Sequence, residues 1–222
     1  SVPRLLGLNV STKGGSDPKV QSVSFKKSVQ SPETFLAGTL VAASPVSPYS
    51  VEVLVLRHGK YVALPANVDS QSRPFAPLAK NDIYAIRLSN KSDHDAAVRL
   101  TIDGVNAFEF SEQSPKPAYW VVPKGLDGKP GTLLVKGWDK SSSHSIEFKM
   151  VDFPESAAAR IKLQPSQTGL ISASFAACWE NESDRPRSEG RTRATEFGNE
   201  IVDPKTSVKR SIGQVRDVVS IR

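Results

Sequence analysis

The chain has 222 residues, of which 38% are apolar, and its formal net charge is +6. Sixteen prolines and fourteen glycines indicate many turns rather than long helices, and no stretch of about 18 apolar residues occurs that would predict a membrane-spanning helix. The single cysteine excludes an intrachain disulfide, and the three histidines lack the short spacing of a structural zinc site.

The first 48 residues predict an extension or arm ahead of the main domain. Two apolar runs, residues 23–29 and 34–43, carry strand-type side chains. The prolines of residues 44–48 end the second run, because proline donates no hydrogen bond to a sheet. A free tail is usually poorer in such residues. We therefore expect the arm to pair with a sheet edge, in its own domain or in a neighbouring copy, and residues 49–222 to form a β-sandwich domain.

The main domain opens with a predicted β-hairpin. Residues 51–56 are apolar except for Glu52, which predicts a strand covered on both faces. The short turn His58-Gly-Lys60 follows, and residues 61–64 return as the second strand. Residues 67–80 are expected to form a longer loop that contains prolines.

Residues 82–89 and 96–103 show the clearest strand signal. Apolar side chains occupy every second position of both runs, which is typical of a sheet with one buried face. The wholly polar residues 90–95 between them predict the tip of a hairpin. With the other apolar runs, this alternation predicts a core that contains Val53, Val55, Ile86, Leu88, Val98, Leu100, Ile102, Phe148 and Phe175.

A tight turn is predicted directly after the second run. Asp103 and Gly104 stand where the chain must reverse, and glycine reaches a positive φ at low cost, so we expect a positive φ at Gly104. Asn106 is expected to hold backbone groups through an Asx-type turn. Asp103, Gly104 and Asn106 are therefore interpreted as turn-forming residues rather than as ligands.

Further short strands complete the domain. The candidates are residues 119–122, 132–136, 145–151 and 170–179, with a last pair at 192–202 and 214–221. Residues 155–160 predict one short helical turn, because three consecutive alanines favour a helix. Repeated short strands with polar turns predict an all-β protein, namely an antiparallel β-sandwich with Greek-key-like or meander connections and at most one short helix.

A series of short motifs occurs in order along the domain. Strands that begin at Val51 and Tyr84 precede a strand ending in Asp103-Gly-Val-Asn106, and Trp120-Val-Val-Pro-Lys-Gly125 and Lys136-Gly-Trp138 follow. The order resembles that of a broad family of uncharacterised bacterial and phage β proteins, over residues 51–222. The resemblance implies a β fold, and it implies no activity.

Catalytic patterns are missing from the sequence. His144 stands between Ser143 and Ser145, but neighbouring side chains on a strand point to opposite faces. Neither a Gly-x-Ser-x-Gly elbow nor a phosphate-binding sequence ending in Gly-Lys-Ser/Thr occurs. We therefore expect neither an enzyme nor a cofactor.

Two other features are interpreted as structural. Asp93, His94 and Asp95 could bind a hard cation with Asp103 if the loop folded over, but exposed residues at a loop tip are more often simply solvated, so no metal site is expected. Cys178 lies in an apolar run and is interpreted as a buried, inert thiol.

The tryptophans Trp120, Trp138 and Trp179 allow two interpretations. Exposed indole rings can form a platform for sugars, whereas buried rings contribute to packing between sheets. Their positions within or at the ends of predicted strands favour packing. The carbohydrate platform is kept as the alternative.

Basic residues concentrate at Arg185, Arg187, Arg191 and Arg193. No aromatic residue lies among them, whereas single-stranded nucleic acid is usually bound by basic and aromatic side chains together. The cluster predicts a solvated loop and no nucleic-acid partner.

These observations favour a non-enzymatic structural or interaction module. We expect it to lie outside the cytoplasm, at a cell surface or within a larger assembly, although a cytoplasmic location stays open. Its expected partner is another protein, or another copy of itself, bound through strand edges. The alternative is a carbohydrate-binding module, with a glycan as ligand.

Overall fold

The computed structural model describes residues 34–163, 168–187 and 210–222, together with the backbone of residues 4–7. The predicted strands at residues 23–29 and 192–202 lie outside this part of the chain. Half of the chain is strand and only 6% is helix, so the all-β prediction is confirmed. None of the helices in the described residues has the length and apolar character needed to cross a membrane.

Sixteen strands and one α-helix occur in the described residues. In chain order they are β1 (Arg4–Gly7), β2 (Phe35–Ala37), β3 (Leu40–Ala42), β4 (Tyr49–Arg57), β5 (Lys60–Ala63), β6 (Asn67–Val68), β7 (Pro74–Phe75), β8 (Ile83–Asn90), β9 (Asp95–Ile102), β10 (Val105–Asn106), β11 (Pro117–Val122), β12 (Gly131–Val135), β13 (Gly137–Asp139), β14 (Ser145–Lys149), the helix α1 (Ala157–Arg160), β15 (Ile171–Trp179) and β16 (Ser211–Ile221).

The strands form two main antiparallel sheets. The first follows the order β1-β11-β9-β15-β16, and β10 pairs with β9. The second follows the order β13-β14-β8-β4-β3-β2, with β12 beside β8 and β5 beside β4. A separate two-stranded sheet joins β6 and β7 within the predicted loop of residues 67–80.

The two most regular strands, β8 and β9, belong to different sheets. The prediction of a hairpin between them is therefore wrong, and the polar residues between them form an arch from one sheet to the other. The side chain of Asn90 holds this arch: its amide donates to the carbonyl of His94 at 2.8 Å, and its oxygen accepts from the N–H of Ser92 at 2.9 Å. The N–H of Lys91 donates to the carbonyl of Pro48 at 2.8 Å.

Residues 34–43 form a hairpin rather than a single strand. β2 and β3 pair with each other, and the turn between them contains Gly38, whose φ is +65°. β3 then pairs with β4 through Val41 and Val51. The second sheet therefore crosses the predicted domain boundary after Pro48.

The core lies between the two sheets. It contains Val53, Ile86 and Leu88 from the second sheet and Val98, Leu100, Ile102 and Phe175 from the first, together with Phe148. Val55 is buried as well. Burial of the predicted core residues is thus confirmed. The expectation of one buried face is too simple for β8 and β9, because Ala85 and Ala97 on their opposite faces are also fully buried.

Backbone and side-chain contacts close the sandwich at β16. The N–H of Arg222 donates to the carbonyl of Pro74 at 2.8 Å, and the N–H of Ala76 donates to the carbonyl of Arg222 at 2.7 Å. Nearby, the hydroxyl of Ser47 donates to the carboxylate of Asp217 at 2.6 Å. These contacts join the edge strand of the first sheet to β7 and its neighbour Ala76, and to the loop between β3 and β4.

Candidate functional site

The outer edge of the first sheet is covered by a segment that is distant in sequence. β1 lies antiparallel to β11, with Leu5 opposite Trp120 and Leu6 opposite Tyr119. The other side of β11 pairs with β9. Without β1, the outer backbone of β11 would be an open strand edge. We call this outer backbone, residues 117–121, the β11 edge.

The side chains of β11 anchor it to the fold on both faces. Trp120 is buried, and its ring centre lies 4.5 Å from that of Phe108. Val121 points to the opposite face, where it joins a second apolar cluster that includes Ala97 and Cys178. The β11 edge is therefore a preformed surface that offers mainly backbone groups to a neighbouring strand.

All three tryptophans are buried, with exposed fractions of 6% for Trp120, 8% for Trp138 and 4% for Trp179. Trp138 packs edge-on against Phe148, with ring centres 5.1 Å apart. This burial is what the packing interpretation predicted. A sugar platform needs a ring face open to solvent, so the carbohydrate alternative loses the residues on which it was based.

The predicted turn after β9 is confirmed. Gly104 has a φ of +79°, and Asp103 before it has a φ of +54°, a pair of positive values that suits a two-residue hairpin turn. The side-chain oxygen of Asn106 accepts a hydrogen bond from the N–H of Phe108 at 3.0 Å, which is the expected Asx-type contact.

Asp103 also makes long-range contacts that the sequence did not predict. Its carboxylate accepts a hydrogen bond from the N–H of Gly169 at 2.6 Å, and its own N–H donates to the carbonyl of Leu170 at 2.8 Å. Burial raises the pKa of the Asp103 carboxyl, and the N–H groups of Gly169 and Leu170 offset part of that rise. The turn is thereby tied to the segment that leads into β15.

A cavity of about 290 Å³ opens beside this turn, and we call it the end cavity. Its walls come from both sheets and include Tyr84, Ile102, Asp103, Trp138 and Phe148. Tyr84 is 5% exposed, and its ring stacks on Phe148 with centres 5.5 Å apart. Burial raises the pKa of Tyr84, and the nearby Asp103 charge raises it further. The hydroxyl of Tyr84 therefore stays protonated at neutral pH.

His94 is buried, in contrast to its predicted position at an exposed tip. Its Nε2 lies 3.1 Å from the hydroxyl of Tyr49 and 3.1 Å from the guanidinium of Arg216, while its Nδ1 lies 2.7 Å from the carboxylate of Asp93. Because a guanidinium only donates, Nε2 is the acceptor and Nδ1 carries the proton. Sequence reasoning missed this cluster because its members come from three separate segments, namely β4, the arch before β9, and β16.

The possible hard-cation site of the sequence does not form. Asp95 begins β9 and Asp103 follows its last residue, so the two are eight positions apart along an extended strand, or about 26 Å. The side chain of Asp93 is 98% exposed and faces the ring of His94. In the parts of the chain that the structure describes, no group of three or more His, Cys, Asp or Glu side chains could hold a metal ion.

Ser143 and His144 are in contact, contrary to the expectation for strand neighbours. The Ser143 hydroxyl lies 2.9 Å from Nδ1 of His144, because both residues precede β14 and belong to the turn before it. Ser141 lies 3.3 Å from the same nitrogen. Both contacts are exposed, and no carboxylate within the described segments hydrogen-bonds to His144.

The basic cluster is only partly described. Arg185 has a side chain that is 12% exposed, lies 5.4 Å above the ring of Trp179 and pairs with Glu182 at 3.2 Å. Arg187 is exposed, as expected for a solvated loop, whereas Arg191 and Arg193 lie outside the described residues. Arg185 thus contributes to packing at the end of β15. Cys178 is buried, as predicted, and its inertness stays a prediction.

Comparison with known proteins adds no relative. No family model matches the chain, and neither curated proteins nor solved structures give a significant match. The resemblance drawn from the order of motifs therefore stays a prediction.

Proposed function

We propose that the chain is a non-enzymatic interaction module that associates with other proteins by strand pairing. The β11 edge is its principal pairing surface. One observation carries the proposal: a segment of only four residues, more than a hundred positions away in sequence, already occupies that edge as an antiparallel strand. In this mode of recognition, main-chain hydrogen bonds supply the affinity.

The short length of β1 favours exchange with other strands. A four-residue strand makes few hydrogen bonds to its neighbour, and each contributes about 0.5–1.5 kcal/mol net. β11 itself is held on its other side by β9 and by the burial of Trp120. Opening the β11 edge should therefore cost little and leave the acceptor strand in place.

The proposed partner is an extended segment of a protein, including residues 1–11 of a second copy. Because backbone atoms of residues 117–121 make the contact, many extended sequences could pair there. Selectivity would come from the side chains on either side of the strand. The same module could thus serve within a larger assembly or in pairwise contacts.

The test frees the edge without shortening the chain. Leu5→Pro and Leu6→Pro together remove two adjacent N–H groups, which point to opposite sides of an extended strand, so one of them faces β11. A fluorescent peptide with the sequence of residues 1–11 is then titrated into the variant and the wild type, and its anisotropy is measured. We expect the variant to bind the peptide at least about tenfold more tightly, since its edge is open.

Two controls keep the result specific. Prolines at positions 11 and 12 place the same number of substitutions outside β1 and should leave the edge occupied. A peptide that carries the two prolines should not bind. Equal peptide affinity for the wild type and the Leu5→Pro/Leu6→Pro variant, or no binding to either, would contradict the proposal.

A further inference from the structure

The end cavity combines features of a ligand site that strand pairing does not use. The hydroxyl of Tyr84 lies in a side chain that is 95% buried and lines the cavity. It makes no hydrogen bond to any residue in the described parts of the chain. The hydroxyl is not among the fully buried polar atoms that lack a partner, so it reaches the open space of the cavity, where water or a ligand can satisfy it.

The same cavity holds an incompletely compensated negative charge. Asp103 lines it, and the pKa of its carboxyl is raised because burial outweighs the two backbone N–H groups that face it. Lys149 and Arg222 also line the cavity, but within the described residues neither forms an ion pair with Asp103. A cation inside the cavity would supply the missing counter-charge.

Most of the remaining wall is apolar and aromatic. Trp138 and Phe148 meet edge to face with ring centres 5.1 Å apart, and Ile102 and Ile171 complete this side. A volume of about 290 Å³ is at the lower end for small-molecule sites. Aromatic rings also attract cations through their faces.

We propose that the end cavity binds a small apolar molecule that carries a primary ammonium group. The ammonium donates to the carboxylate of Asp103 and to the hydroxyl oxygen of Tyr84, and the apolar body packs against Trp138 and Phe148. This site is separate from the β11 edge, so the ligand-binding proposal can be tested independently of the proposed strand pairing.

The probe is 2-phenylethylamine, with 2-phenylethanol and 3-phenylpropanoate as matched molecules of different head group. Binding to the full chain at pH 7 is measured by calorimetry and by saturation-transfer NMR. We expect the amine to bind about tenfold more tightly than the alcohol, as one charge-assisted hydrogen bond would give. The carboxylate should bind most weakly, because Asp103 repels it.

Two substitutions locate the site. Asp103→Asn keeps an oxygen for the N–H of Gly169 and tolerates the positive φ, while it removes the charge. It should abolish the preference for the amine over the alcohol. Tyr84→Phe removes only the hydroxyl and should weaken both ligands severalfold. Asp127→Asn is the matched control, since Asp127 (φ +52°) also precedes a glycine of positive φ in an exposed turn.

Each possible result of these measurements either supports or contradicts the proposed site. A preference for the amine that Asp103→Asn removes and Asp127→Asn preserves supports the proposal. Absence of binding by all three probes, tightest binding of 3-phenylpropanoate, or an unchanged preference in the folded Asp103→Asn variant overturns it. Folding of each variant is checked by its unfolding midpoint, and Tyr84→Phe supplies an independent reading if Asp103→Asn is unstable.

Discussion

The carboxylate of Asp103 and the backbone N–H of Gly169 are joined by a hydrogen bond of 2.6 Å, although the two residues stand 66 positions apart. The bond connects the turn between β9 and β10 to the segment that enters β15. It also fixes one wall of the end cavity, which both residues line. Asp103, which is suited to a turn, therefore also makes a tertiary contact.

The half-buried carboxyl of Asp103 predicts a specific pH dependence of stability. Because its pKa is raised in the folded state, the folded protein binds this proton more tightly than the unfolded chain does between about pH 3.9 and the raised pKa. Stability contributed by Asp103 should therefore fall as the pH rises through that window and stay constant above it.

Urea unfolding of the wild type and of Asp103→Asn at several pH values from 3 to 8 measures this effect. The free energy of unfolding of the wild type should fall relative to that of Asp103→Asn as the pH rises. Asp127→Asn provides the baseline for an exposed turn. A difference between the wild type and Asp103→Asn that is independent of pH would refute the assignment.

Gly137 is predicted to be intolerant of any side chain. A Cβ at this position would lie 2.1 Å from the carbonyl oxygen of Ile146 on the neighbouring strand, so the backbone would have to move. Gly137→Ala should lower the free energy of unfolding by more than about 3 kcal/mol. Thermal and urea denaturation provide the measurement.

Gly128→Ala is the control for this prediction. Gly128 has a φ of +74° but open space around its Cβ position, so only backbone strain of about 1–2 kcal/mol is expected. Similar costs for the two variants would show that close strand approach is not the reason for the glycine at position 137.

Leu100 should be a main contributor to the core. It is fully buried between the sheets, and Leu100→Ala should reduce the free energy of unfolding by about 2–5 kcal/mol, because it removes apolar contacts and leaves a cavity. Val62→Ala is the comparison, since Val62 is 51% exposed and should cost less than about 0.5 kcal/mol. An unchanged unfolding midpoint for Leu100→Ala would contradict the core assignment.

Glu52 and Arg87 form a cross-strand ion pair that is expected to stabilise the second sheet. They face each other in the register of β4 and β8, and a guanidinium nitrogen lies 2.8 Å from the carboxylate of Glu52. The Glu52 side chain is 9% exposed. A double-mutant cycle with Glu52→Gln and Arg87→Gln should give a coupling energy of about 1–2 kcal/mol.

The exposed pair Lys140 and Glu112, 3.7 Å apart, is the matched reference. Its coupling energy in the same type of cycle should be below about 0.5 kcal/mol, because water screens both charges. Equal coupling in the two cycles would indicate that burial of Glu52 does not strengthen its ion pair.

Local patterns in the sequence were sufficient to predict the strands and much of the core. Alternation with a period of two identified β8 and β9, and the Asp103-Gly104 pair predicted the turn with positive φ. These features depend on a few neighbouring residues, since side-chain direction along a strand and backbone freedom at glycine are local properties. The strands β10 and β13, of two and three residues, are too short to show such a pattern.

Only the tertiary structure decided which sheet each strand joins and which residues meet. A polar loop of a few residues suits a hairpin as well as an arch, so residues 90–95 could not show that β8 and β9 lie in different sheets. The arch buries His94 beside Tyr49, and the second sheet places Trp138 and Tyr84 near Asp103 around the end cavity. Such contacts join segments far apart in sequence, and they form because burying apolar surface between two sheets determines the arrangement of the whole chain.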